Sequence, residues 1–255
     1  MKPLKYENDD YEILVQNHVF IKDKKAKNYY RNDISSLNKS MRECLIEYHE
    51  KISDRTFIIY IAFMLVMIIA NYIHLLYLQR VLIPDANNIS IVIIVVYFVF
   101  NIILHEIGHI YSLKYFGRSY DKLGVKLNFY VFPAFYVQMN ETYMLSKNDK
   151  IIVHSFGLFI NFTLINVFQL LNMLFINNYT LSLSYLLFSS TMIWNIVPIL
   201  NSDGYKIMLA FLSLDEFSNI TKNHWIVILF QIIGLSIAIN TLIHWIIFWG
   251  KYFGL

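Results

Sequence analysis

Long apolar runs dominate the chain from residue 57 onward. A hydrocarbon core about 30 Å thick takes roughly 20 apolar helical residues to cross. Five stretches meet that length: Phe57 to Leu78, Ile91 to about Leu113, Ile151 to Phe175, Leu181 to Leu200, and Trp225 to about Trp249. They predict an α-helical integral membrane protein with about five transmembrane helices, occupying residues 56–255. Residues 1–55 instead mix charges with short apolar stretches, which predicts a small cytosolic N-terminal segment. Within it we expect a β-hairpin around Tyr11 to Tyr30 and a helix from Ser36 to Lys51, too short a piece to bury much core by itself. The start lacks a continuous apolar core, so no cleavable signal peptide is expected and insertion begins at an internal segment. Between the second and third runs, Val125, Leu127, Phe129 and Val131 alternate with Lys126, Asn128 and Tyr130. That period of two predicts a strand over Gly124 to Val131, turned at Pro133 and returning through Phe135 and Val137 as a membrane-associated β-hairpin loop.

Composition agrees with this pattern: 57% of residues are apolar and only 15% charged, the balance of a membrane protein rather than a soluble one. The net charge of +3 is small, and the basic residues lie beside apolar runs rather than in one stripe, so no nucleic-acid partner is expected. Lysine and arginine instead report orientation. Taken over alternate loops they number 19 against two, and eight against two without the N-terminal tail. The positive-inside rule then puts the N-terminus in the cytosol and the C-terminus outside. It also puts the C-terminal ends of the second and fourth runs at the cytoplasmic face. The single cysteine, Cys44, excludes an intramolecular disulfide and any cysteine-based zinc cluster, which leaves histidines and carboxylates as metal ligands.

The second run carries such ligands where charge is expensive and therefore usually functional. His105-Glu106-Ile107-Gly108-His109 is an HExxH pattern. Histidines four apart on a helix share a face, so both imidazoles can reach one Zn²⁺ while Glu106 lies near a water. A catalytic zinc needs a third protein ligand and one open position. Asp203 is the best placed, since it follows the fourth run at the cytoplasmic level where the second ends. Glu141 sits in a loop, and Asp215 and Glu216 lie beyond. His154, early in the third run, suits a hydrogen-bonded core histidine or a contact to a substrate carbonyl. Pro198 should kink the fourth run and free backbone acceptors there.

These residues carry a resemblance. His105-Glu-Ile-Gly-His109 together with Asn195-Ile-Val-Pro-Ile-Leu-Asn-Ser-Asp203-Gly204 resembles the paired signatures of the site-2 protease family of intramembrane zinc metalloproteases, over roughly Ile91 to Leu212. The resemblance implies that His105, His109 and Asp203 hold the zinc, that Glu106 is the catalytic base, and that Asn195 serves the site eight residues before Asp203. The chain departs from that pattern at Asn201, where many members have proline, at Tyr205, where many have a second glycine, and at Leu158, which replaces the frequent proline after Gly157. It shows no PDZ or nucleotide-binding regulatory domain. Its layout is similar to small members that mature ribosomally made peptides, which implies a bacterial cell membrane, a lipid-bilayer setting and a membrane-protein or precursor-peptide substrate cut near the cytosolic boundary. Gly124 to Val131 would then hold extended substrate by edge pairing, with Phe129 at its centre, or anchor the loop at the headgroups through its aromatic residues. The competing reading is a non-catalytic integral membrane protein, such as an immunity or transporter-accessory component, that uses the histidines structurally; an intact Glu106 argues against it.

Overall fold

The computed structural model describes residues 3–82, 86–128, 132–199, 202–217 and 220–253. Strands β1 (Leu4–Glu7), β2 (Tyr11–Val15), β3 (Val19–Asp23) and β4 (Tyr29–Asn32) are followed by the short helix α1 (Lys39–Glu43) and strand β5 (Ile46–Glu47). They form one antiparallel sheet in the order β4-β3-β2-β1-β5. The expected hairpin is therefore part of a larger sheet, and the expected helix over Ser36 to Lys51 is not formed. Asn38 caps α1 by accepting from the Met41 amide at 2.8 Å, but the helix ends at Glu43. Tertiary packing outweighs helical propensity here: Ile34, Leu37 and Leu45 join Ile13, Val15 and Val19 in a small core, and Ile46–Glu47 adds to the edge of β1.

Helices α2 (Asp54–Val81), α3 (Ile91–Tyr115) and α4 (Lys147–Leu171) follow, α4 running on through a π turn at Asn172–Ile176. These three are long and apolar enough to cross a membrane. Next come α5 (Tyr179–Ile196), α6 (Asp203–Leu212) and α7 (Trp225–Phe253), whose apolar described part covers Trp225–Ile237. Helix α4 is central, packed on α2, α3, α5 and α6. More than half of its apolar window is buried, whereas α2 and α3 turn most of theirs outward, as lipid-facing helices do. Leu158, Phe162 and Ile165 of α4 meet Met64, Leu78, Tyr185, Phe188 and Met192 in the main core. Polar side chains bind the bundle where no water competes: Asn71 donates to Tyr185 at 2.8 Å and Ser189 at 2.9 Å, and Tyr185 donates to Asn166 at 2.9 Å.

Strands β6 (Lys122–Asn128) and β7 (Phe132–Gln138) form the second sheet between α3 and α4. Asn128 pairs with Phe132, and Pro133 lies within β7 opposite Leu127 rather than at a turn. A strand with a neighbour on one side only tolerates a proline that cannot donate. Phe129 lies outside the described residues. The first sheet is clamped beneath the helices. Arg118, just after α3, donates to both carboxylate oxygens of Glu12 at 2.7 and 2.6 Å and to the Met144 carbonyl at 2.9 Å. Lys22 pairs with Glu141 at 2.5 Å, and Arg31 with Asp215 at 3.2 Å. Burial raises the Glu12 carboxyl, but Arg118 and Lys5 more than offset it and hold it below the usual range. That depressed value keeps the clamp ionised at neutral pH, and its contribution is lost as the pH falls through it.

Candidate metal centre

Helix α3 presents His105 and His109 one turn apart on one face, and α6 opens with Asp203 directly against them. All three are buried, at 8%, 2% and 5% exposure, and their donor atoms lie within 4.8 Å of one another. Asp203 Oδ2 is 2.7 Å from His105 Nε2, Asp203 Oδ1 is 3.4 Å from His109 Nε2, and the two Nε2 atoms are 3.1 Å apart. The far side of each ring explains the orientation. His109 Nδ1 lies 2.8 Å from the Val153 carbonyl; a carbonyl can only accept, so Nδ1 carries the proton and Nε2 offers its lone pair. His105 Nδ1 lies 3.3 Å from the Asn161 amide, whose Oδ1 has no partner among the described residues. Turning that amide over gives up its donation to Met192 Sδ but lets Oδ1 accept from Nδ1–H, which again leaves Nε2 as the acceptor.

Three acceptors aimed at one point repel one another unless a cation sits among them. The edges of a zinc tetrahedron with ligand distances of about 2.1 Å are roughly 3.4 Å, and the donors lie on that scale, with Asp203 turning Oδ2 toward His105 and Oδ1 toward His109. Two imidazoles and a carboxylate also form a donor set of catalytic zinc, with a fourth position left for water or substrate. The residues therefore fit the metal. Gly157 of α4 leaves the room: a Cβ there would lie 2.6 Å from His109 Nε2 and 2.9 Å from His105 Nε2, so no side chain is compatible with both ligands.

The break between α5 and α6 positions Asp203. Helix α5 stops at Ile196, and Pro198 follows the end instead of kinking a continuing span as expected; the residue before a proline disfavours helical geometry. Asn195 donates to Asp203 Oδ2 at 2.9 Å and accepts from the Asp203 amide at 3.1 Å. Ser202 caps α6, accepting from Tyr205 at 3.0 Å and donating to the Val197 carbonyl at 2.8 Å. A Cβ on Gly204 would fall 1.8 Å from the Ile196 carbonyl oxygen, so only glycine allows this approach. Asp203 opens α6, and a helix N-terminus favours the ionised carboxylate that a metal ligand must be.

Glu106 is half-buried and lines the same 520 Å³ cavity as His105, His109, Asp203 and Asn195, walled by Phe98, Ile102 and Phe188. His154 is elsewhere: it is 7% exposed, has no partner for Nδ1 among the described residues, and lines an adjoining 460 Å³ cavity. The sequence reading missed two contacts. Asn161 behind His105 was not singled out, although a polar residue inside an apolar span was signal enough. Lys206, one turn after Asp203 with Nζ 3.8 Å from Oδ1, lay at the i+3 spacing that brings helical side chains together.

No family model and no solved structure matches the chain. A protein of Bacillus subtilis (strain 168) named "Putative peptide zinc metalloprotease protein YydH" is 56% identical to it over 249 residues, which covers 97% of this chain and 99% of that protein.

Proposed function

The chain belongs to the family of that Bacillus subtilis protein, and from this premise we propose that it is a zinc-dependent intramembrane endopeptidase, similar to site-2 proteases, that cuts a membrane-associated protein or precursor peptide near the cytosolic boundary. The carrying observation is the convergence of His105 Nε2, His109 Nε2 and an Asp203 carboxylate oxygen inside a chain with membrane-crossing helices. The non-catalytic reading has less support, since the relative is named a metalloprotease.

Zinc, when bound, acidifies water and polarises a carbonyl. The Glu106 carboxylate takes the proton from the attacking water, and the resulting carboxylic acid returns it to the amide nitrogen as the peptide bond breaks. Asn195 holds Asp203 through two hydrogen bonds, and Asn161 and the Val153 carbonyl keep the histidine protons on Nδ1. Phe98, Ile102 and Phe188 keep the cavity wall apolar, while His154 serves substrate binding from the adjoining cavity. Extended substrate lies along the β6–β7 hairpin by backbone pairing, with Phe129 serving that binding or the headgroup anchor. Peptide hydrolysis by the purified protein, with Glu106→Gln alongside, tests this reading.

The same proposal includes five spans with the N-terminal sheet in the cytosol, supported by the distribution of lysine and arginine. A reporter fused after Leu255 is expected to read as external, and one inserted near Lys147 as cytosolic. A cytosolic signal from the C-terminal fusion would mean that α7 does not cross or that α5 does not count as a span.

A further inference from the structure

A second cavity adjoins the first along β7: Tyr136, Val137, Met139 and Lys206 line both. At 460 Å³ it has the size of small-ligand pockets, and its wall mixes charged and polar side chains with Val137, Met139, Leu209 and Leu214. His154 lines it, 7% exposed and with Nδ1 unpartnered among the described residues. The charges around it are unevenly committed. Asp215 is held by Arg31 at 3.2 Å and by Lys150 at 3.6 Å. Glu216 accepts from Gln231 at 2.7 Å. The Lys206 side chain is more than a third exposed, and among the described residues its ammonium pairs with Asp203, at 3.8 Å. On the reading above that carboxylate belongs to the metal, which leaves the ammonium at the junction of the two cavities able to take another anion.

We propose that this second cavity is a substrate subsite on the cytosolic side of the scissile bond, and that Lys206 and His154 recognise a carboxylate there. This rests on the proteolytic reading and adds a substrate class to it: peptides with an acidic side chain, or a chain-terminal carboxylate, within a few residues of the cut. A cationic group would meet the metal, Lys206 and Lys150 together. A carboxylate instead accepts from the Lys206 ammonium and from an imidazole N–H that otherwise stays unpaired. Charge-assisted bonds of that kind are the stronger ones.

Full-length zinc-loaded protein is assayed with peptide pairs that carry Glu or Gln at each position near the cut, each with a free or an amidated C-terminus. Binding of fluorescent versions to Glu106→Gln protein is read by anisotropy. We expect about a tenfold preference for the carboxylate at one position, seen in both kcat/KM and binding. An internal Glu preference identifies a side chain as the source, and a preference confined to free termini identifies the chain end. Lys206→Met should remove the preference, and Lys206→Glu should turn it toward a Lys peptide, with zinc content unchanged. Equal loss for Glu and Gln peptides in Lys206→Met, or no preference in the wild type, would overturn the proposal. If the wild type cleaves no peptide the catalytic reading fails, and the anisotropy preference alone then decides the subsite.

Discussion

Replacing Glu106 by glutamine is expected to leave zinc bound and to lower peptide hydrolysis by about 100- to 10,000-fold, the range for losing a positioned acid–base group. Glu106 stands apart from the three converging donors but lines their cavity. It neighbours His105 in sequence and therefore points about 100° around the helix from it, toward the space where water and substrate meet. Glutamine keeps the shape and cannot take a proton, so the metal stays and the chemistry stops. Metal analysis and cleavage on one preparation separate the two effects. Parallel loss of zinc and activity would instead make Glu106 a ligand.

Asp203→Ala should cost zinc affinity more than the roughly 10- to 100-fold typical of changes behind a ligand, because it removes one donor of three and strips the Asn195 amide of its acceptor. Asp215→Ala is the informative contrast. Asp215 is also a buried carboxylate, but its partners are Arg31 and Lys150, so its loss should loosen the N-terminal sheet and leave zinc in place. Competition with a chelator measures both. Retention by Asp203→Ala together with loss from Asp215→Ala would move the third ligand.

What the sequence made legible was what short spacing determines. His105 and His109 are one turn apart in any helix, and the strand alternation from Val125 onward needs no distant partner. Asp203 required two inferences, the shared level of two helix ends and the paired motifs, and the structure does bring it to the histidines. Features governed by distant contacts were not legible. The stretch 36–51 breaks into pieces because Leu37 and Leu45 pack on a sheet whose five strands the local pattern did not reveal. Pro133 looks like a turn residue until the register sets it opposite Leu127. Pro198 reads as a kink because nothing local shows that α6 begins at Asp203, with Gly204 against the Ile196 carbonyl. Gly157 acquires meaning only when α4 lies against α3.

The most direct test of the account is to titrate zinc into metal-free full-length protein while following hydrolysis of a precursor peptide. Cleavage should be absent at the start, rise with added zinc and level off at a single zinc per chain, with no rise in protein lacking His105, His109 and Asp203 side chains. Cleavage that persists in the metal-free protein, or stoichiometric zinc binding after all three ligands are replaced, would contradict it.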